Sequence, residues 1–208
     1  MYKRQPVDTN LLQALSIISQ AKKASSKIYA IIPYMGYARQ DKQFLSGEVI
    51  TMSIVAKMLQ VAGAKKAFVV DIHSKAALNH FKIPAENISA IPVLAEYFKK
   101  MKLKNALVVS PDMGGSLRAK KFASLLNIGF IALKKSRNRK TGKVQIQSSK
   151  VDVVGRDLIV IDDMISTGGS VVKATQFLKR QKCKRVFVAC THGLFVGCLL
   201  YTSPSPRD

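Results

Sequence analysis

Residues 158–170, Leu-Ile-Val-Ile-Asp-Asp-Met-Ile-Ser-Thr-Gly-Gly-Ser, leave the chain few ways to fold: an apolar strand, two acids, a small-residue loop and the start of a helix follow without a gap. Residues 158–161 are uninterrupted and mostly β-branched, as in a strand covered on both faces, so Asp162 and Asp163 are expected at its carboxyl end. Ligands gather at that edge in open α/β sheets. Beyond the acids, Ser166, Thr167, Gly168, Gly169 and Ser170 offer hydroxyls and unobstructed backbone N–H groups. A helix starting near Val171 directs the positive end of its dipole at the same spot. A phosphate monoester fits there without a lysine. The carboxylates cannot bind the phosphate themselves, so their partners are vicinal ribose hydroxyls or a cation carried by the ligand. The plainer alternative is an ordinary strand–turn–helix with an acidic cap; glycines, hydroxyls and paired acids together favour a sugar-phosphate cradle.

A 208-residue chain with 48% hydrophobic content buries a substantial core in one large or two small domains. No apolar run approaches a membrane span and residues 1–20 lack a secretory pattern, so no membrane partner and a cytoplasmic location are expected. Cys183, Cys190 and Cys198 form neither an even set nor a metal-ligand spacing and read as reduced, two of them in or near the core. The 34 basic residues against 12 acidic ones give a formal charge of +22. Such a field draws anions, small polyphosphates included. The lysines are spread over many segments and no zinc-finger, basic-zipper or RNA-recognition signature is present, so no specific nucleic-acid partner is expected.

Hydrophobic periodicity predicts a regular alternation. A helix built on Leu11, Leu12, Leu15, Ile17 and Ile18 runs to residue 26 and is followed by a buried strand over 27–33. A helix over 48–62 is stopped by Gly63, and a strand over 66–71 comes next. Then follow a helix over 93–101, a strand over 106–110, a helix over 116–126 and a strand over 129–134. The 158–161 strand, a helix over 171–180 and a strand over 185–191 complete the series. This is an α/β chain with mostly parallel sheets and Rossmann-like layering. Residues 67–71 and 158–162 are both apolar strands ending in an acid before a helix, which points to two related halves. Residues 84–92, rich in turn formers, read as the connector, giving domains over 1–90 and 91–197 with a tail over 198–208.

Other strand ends are also polar. Residues 33–41 carry Tyr34, Tyr37, Arg39, Gln40 and Asp41: two rings able to stack, a guanidinium able to grip phosphate, and an amide and carboxylate for base edges or metal. An exposed turn is the alternative. Asp71 and His73 sit on one side of an extended segment, a spacing that suits a metal-bound phosphate or a structural histidine. Asp112, Gly114 and Gly115 make a second cradle at a strand-to-helix turn, with Arg118 one turn on to neutralise its ligand. Residues 134–143 are a cationic segment without an apolar anchor, either a solvated hairpin or a lid closing over a transferring phosphoryl group.

Taken in order, Pro-Tyr-Met-Gly-Tyr-Ala-Arg-Gln-Asp, Val-Asp-Ile-His, Ser-Pro-Asp-Met-Gly-Gly, Lys-Lys-Ser-Arg, Ile-Asp-Asp-Met-Ile-Ser-Thr-Gly-Gly-Ser and Cys-Thr-His-Gly-Leu-Phe resemble the ribose-phosphate pyrophosphokinase family over roughly residues 6–197. The Thr-His-Gly-Leu-Phe and Lys-Lys-Ser-Arg segments look closest to archaeal members. The resemblance implies two Rossmann-like, phosphoribosyltransferase-type halves, the first truncated. It also implies transfer of the diphosphoryl group of Mg-ATP to the 1-hydroxyl of ribose 5-phosphate, giving phosphoribosyl pyrophosphate and AMP. Carried over, Arg39, Gln40, Asp41 and His73 would contact ATP, with His73 and Asp112 near Mg²⁺. Asp112, Gly114 and Gly115 would form the diphosphate loop. Asp162 and Asp163 would hold the ribose hydroxyls, and Ser166, Thr167, Gly168, Gly169 and Ser170 the 5-phosphate. Lys135 and Arg137 match the two cations of the family's catalytic flexible loop. The family's chain begins earlier, with an acidic segment that helps bind adenine in a neighbouring subunit, so a homo-oligomer is expected. Residues 1–5 and 196–208 do not resemble the family and read as read-through at both ends of a gene fragment. The alternatives are a non-catalytic regulatory subunit of the family and a phosphoribosyltransferase or a regulator built on that fold. Lys135 and Arg137 speak against the first, and the separate Arg-Gln-Asp half against the second.

Overall fold

A computed structural model describes residues 7–137, 144–146 and 151–196, with backbone alone over 135–137 and 144–146. The chain divides into two compact units, residues 1–89 and 90–208.

The first unit runs α1 (Val7–Ala21), β1 (Tyr29–Ile32), α2 (Thr51–Ala62), β2 (Lys66–Val70), α3 (Lys75–Asn79) and β3 (Ala85–Ile88). Its strands form a parallel sheet in the order β1-β2-β3. Ala30, Ala67 and Val69 pack in one core with Ile18 of α1 and Met52, Val55, Ala56 and Leu59 of α2. The strand expected to be buried over 27–33 is shorter and half-exposed: Tyr29 and Ile31 alternate with Ala30 and are 59% and 73% exposed. Four apolar residues in a row show no alternation, so periodicity could not separate burial on one face from burial on two.

Helix α2 starts three residues later than expected, because the Glu48 carboxylate accepts N–H bonds from Phe44 (2.8 Å) and Leu45 (3.1 Å) and closes a separate turn. These two hydrogen bonds also hold the Glu48 carboxyl below its usual range. The helix ends at Gly63, whose φ of 122° lies where a side chain would be strained. Residues 84–92 are not a plain connector. They contain β3, whose polar Glu86 and Asn87 disguise an edge strand paired with β2, and Pro92 marks the first turn of the next helix.

The second unit runs α4 (Ile91–Lys100), β4 (Ala106–Ser110), α5 (Ser116–Leu126), β5 (Gly129–Ala132), β6 (Lys135–Arg137), β7 (Val144–Ile146), β8 (Asp157–Ile165), α6 (Gly169–Arg180) and β9 (Arg185–Gly193). Four strands form a parallel sheet in the order β5-β4-β8-β9. Alternate residues of β4 and β8 serve opposite faces. Val108, Ile159 and Ile161 pack with Ile91, Phe98, Ala119 and Phe122, whereas Leu107, Val109, Leu158 and Val160 pack with Ala174 and Leu178. Helices on both faces explain why these strands read as continuous apolar runs. Phe122 is fully buried and stacks edge-on against Phe98 at 5.7 Å, so its replacement by alanine costs about 3–5 kcal/mol.

The cationic segment opens as a hairpin, with β6 antiparallel to β7 and Lys135 opposite Ile146; residues 138–143 lie outside the described residues. So do residues 1–6, Cys198 and the tail over 198–208. Cys183 and Cys190 are half-buried free thiols. Among the described residues no helix is long and apolar enough to cross a membrane.

Candidate functional site

Strands β4 and β8 are parallel neighbours, so the loops after them lie side by side at one edge of the second sheet. Sequence periodicity ended β8 at Ile161; the strand continues to Ile165, and Asp162 and Asp163 lie within it. Pairing with β9 carries it onward, with Asp162 opposite Cys190 and Ile165 opposite Gly193. The two acids are consecutive in the strand, and both carboxylates turn towards α5. Each aims a carboxylate oxygen at a backbone amide: Asp162 accepts from Asp163 N–H at 2.9 Å, and Asp163 from Met164 N–H at 3.0 Å.

Arg118 closes this arrangement from α5. One terminal nitrogen of its guanidinium is 3.3 Å from Asp162 Oδ1, and the other is 3.6 Å from Asp163 Oδ2. The sequence offered Arg118 as a countercharge for ligand phosphate, and its pairing with acids 44 residues away had no local signal. Burial, reinforced by the hydrogen bond and charge of Asp163, pushes the Asp162 carboxyl up to about 7; Arg118 opposes the rise. The same surroundings, burial first, push the Cys190 thiol up to about 11, so it stays protonated and is no nucleophile near neutrality.

After β8 the chain turns through Gly168, whose φ of 74° is left-handed, and enters α6 at Gly169. Gly168 C=O accepts the Val172 N–H at 2.9 Å, while Thr167, Gly169 and Ser170 are exposed. The loop rests on the end of β9: the N–H groups of Leu194 and Phe195 bond Ile165 O, and Val196 N–H bonds Ser166 O. The result is an exposed rim of small residues at a helix N-terminus, suited to an anion.

The neighbouring loop is self-braced. The buried Ser110 hydroxyl donates to Asp112 O at 2.6 Å, and Asp112 Oδ1 accepts the Gly115 N–H at 3.1 Å. A Cβ on Gly115 would stand 2.6 Å from Ser110 Oγ, so only glycine fits. Asp112 thereby presents its carboxylate beside the N-terminus of α5.

In the first unit, Arg39 and Gln40 are exposed between the buried Ala38 and Asp41. Tyr37, read as a stacking ring, instead donates its hydroxyl to Asp8 of α1, which raises the phenol's pKa. Asp71 has a φ of 39°, so residues 71–73 are not extended there and the expected alternation of Asp71 and His73 does not apply; His73 is exposed. The backbone of Lys135 and Arg137 lies in β6, and their side chains are outside what is described. No group of three or more histidine, cysteine or acidic side chains is assembled as a metal cage among the described residues.

Residues 79–194 match the phosphoribosyl transferase domain, the class to which this sheet and its two loops point. Residues 2–63 match the N-terminal domain of ribose phosphate pyrophosphokinase, so residues 2–5, expected to be foreign, fall inside the family model. The chain belongs to the ribose-phosphate pyrophosphokinase family. It is 40% identical over 195 residues to a ribose-phosphate pyrophosphokinase of Haemophilus influenzae, covering 92% of this chain and 62% of the relative. A Ralstonia nicotianae relative of the same name is 40% identical over 194 residues, with 92% and 61% covered. The crystal structure of phosphoribosylpyrophosphate synthetase from Mycobacterium smegmatis superposes with a TM-score of 0.84 at 32% identity, over 94% of this chain and 64% of that one. The chain thus spans about three fifths of the length of the relatives it matches.

Proposed function

We propose that the protein to which this chain belongs transfers the β,γ-diphosphoryl group of Mg-ATP to the 1-hydroxyl of ribose 5-phosphate. The hydroxyl oxygen bonds to the β-phosphorus as the bond from that phosphorus to the oxygen of the α-phosphate breaks; phosphoribosyl pyrophosphate forms and AMP departs. The observation that carries this reading is the Asp162–Asp163 pair set directly before the Gly168 turn, beside the Asp112–Gly115 loop.

In this reading Asp162 and Asp163 accept hydrogen bonds from the ribose hydroxyls, and Ser166, Thr167, Gly168, Gly169 and Ser170 surround the 5-phosphate with N–H and O–H donors. Asp112, Gly114 and Gly115 take the diphosphate. The segment carrying Arg39, Gln40 and Asp41 serves ATP, and His73 meets its phosphates. Mg²⁺, which proteins usually hold through one or two carboxylates plus substrate phosphates, would be held in the second unit by Asp112; His73 of the first unit is a separate candidate ligand. When bound, the ion neutralises phosphate charge. Lys135 and Arg137 supply further positive charge to the transferring group, which suits a reaction driven by positioning and electrostatics. The site works in the cytoplasm as part of a homo-oligomer.

The test follows nucleotide products with ribose 5-phosphate and Mg²⁺ present or withheld. AMP formed only with both supports the reading. ADP formation, or ATP turnover without the sugar, refutes it.

A further inference from the structure

Asp41 is one of only four buried polar or charged residues among those described, at 7% exposure, although the two residues before it are open to solvent. A carboxylate is rarely placed so without a partner that repays its desolvation. Ser74 is that partner, donating its hydroxyl to Asp41 Oδ2. Ser74 is itself fixed. It is the N-cap of α3, with extended φ and ψ of −149° and 158°, and its Oγ accepts the Ala77 N–H at 3.0 Å. At the other end of α3, His80 Nε2 lies 2.7 Å from the Asp41 backbone oxygen. One short helix therefore holds Asp41 by its side chain and its main chain.

The residues on either side of this fastening are the ones with ligand-competent side chains. Arg39 and Gln40 immediately precede Asp41, and His73 immediately precedes Ser74; all three are exposed. The Gln40 backbone is pinned as well, by N–H to Tyr37 O at 2.8 Å and by its carbonyl accepting the Met52 N–H at 3.2 Å. The segment after β2 is held from below, where Ile72 N–H bonds Asn87 Oδ1 at 2.9 Å.

We propose that Asp41 is a positioning residue rather than a nucleotide contact: through Ser74 and His80 it locks the Arg39–Gln40 turn against the His73 turn, so that these exposed side chains meet the polyphosphate ligand as one preorganised set. This rests on the reading of Arg39, Gln40 and His73 as the ATP side. A flexible pair of turns would lose entropy on binding, whereas a fastened pair has lost it already. What matters at position 41 is then a hydrogen-bond acceptor for Ser74, and its negative charge is dispensable.

Mg-ATP affinity, measured by titration calorimetry on the full chain with unfolding midpoints recorded alongside, separates the roles. Asp41→Ala and Ser74→Ala should each weaken binding about fivefold to tenfold, the cost of one hydrogen bond, and the double variant should be no weaker than either single one. Asp41→Asn and Ser74→Thr, which keep acceptor and hydroxyl, should bind within about twofold of the unsubstituted chain, a shift well under 1 kcal/mol. If Asp41→Ala does not fold, Asp41→Asn and Ser74→Ala decide the matter. The proposal is overturned if Asp41→Asn loses affinity while Ser74→Ala does not, since the charge would then face the nucleotide. It is equally overturned if none of the variants changes affinity. If the unsubstituted chain takes up no Mg-ATP, the nucleotide reading itself falls and the proposal with it.

Discussion

The Arg118 guanidinium, 3.3 Å from Asp162 Oδ1, ties the helix that follows one loop of the site to the strand that leads into the other. With that charge in place the Asp162 carboxyl already lies at about 7; without it the two neighbouring carboxylates confront each other unrelieved and Asp162 keeps its proton to higher pH. Arg118→Ala is therefore expected to weaken ribose 5-phosphate binding at pH 6.5 relative to the unsubstituted chain and to recover much of the difference at pH 8.5. Calorimetric titration at the two pH values checks it; a pH-independent deficit would mean that Arg118 touches the sugar phosphate itself.

The raised pKa of Asp162 has a consequence for stability without any ligand. Its folded value of about 7 exceeds its value in the unfolded chain, so the folded state binds the extra proton between about pH 4 and pH 7. This group's contribution is fully present below about pH 4 and is lost as pH rises through 7. Asp162→Asn should accordingly raise the unfolding midpoint at pH 8 by a few degrees and lose that advantage towards pH 4, as read from thermal melts across the range.

Gly115 is expected to tolerate no side chain while Ser110 keeps its hydroxyl, because the added Cβ would meet Ser110 Oγ at 2.6 Å. Gly115→Ala should distort the Asp112 turn and reduce diphosphate binding about tenfold or more, taking the clash at over about 1.4 kcal/mol. Adding Ser110→Ala should restore part of the loss. Pyrophosphate titration of the single and double variants measures both effects.

At the opposite end of β8, buried Asp157 forms a two-pronged ion pair with Arg185, at 2.9 and 2.8 Å. The hydrogen bonds from Arg185 hold the Asp157 carboxyl below its usual range. The stability this provides is present above the ordinary carboxylate pKa and is lost as pH falls through the depressed folded value. Arg185→Met should lower the melting temperature at pH 7 by several degrees and leave ribose 5-phosphate affinity unchanged, which thermal melts and titration together establish.

Lys135 tests the hairpin. If Lys135 serves as proposed, as a cation closing over the transferring group, Lys135→Ala should reduce turnover far more than ribose 5-phosphate binding. Equal losses in both, from steady-state kinetics beside direct titration, would refute the lid role.

Much of the fold was legible because the two central strands of the second unit carry helices on both faces, so β4 and the start of β8 appear as plain apolar runs, and Ser116–Leu126 keeps its helical period. Edges were harder. Ala85–Ile88 is a strand by backbone pairing alone, and its Glu86 and Asn87 carry no strand signal. The true length of β8 depends on β9, which carries Asp162 and Asp163 onward into the ladder, a tertiary effect absent from local sequence. Within the site, the glycine turns and paired acids could be read from spacing. Arg118 with Asp162, and Asp41 with Ser74 and His80, could not, because those partners meet only through topology.

Titration of ribose 5-phosphate into the isotope-labelled chain, following backbone amides residue by residue, goes to the heart of the account. Saturable shifts centred on Thr167, Gly168, Gly169 and Ser170, abolished together with binding in Asp163→Ala, are the expected result. Amides at this turn that stay fixed while the sugar phosphate binds elsewhere, or fails to bind at all, would contradict it.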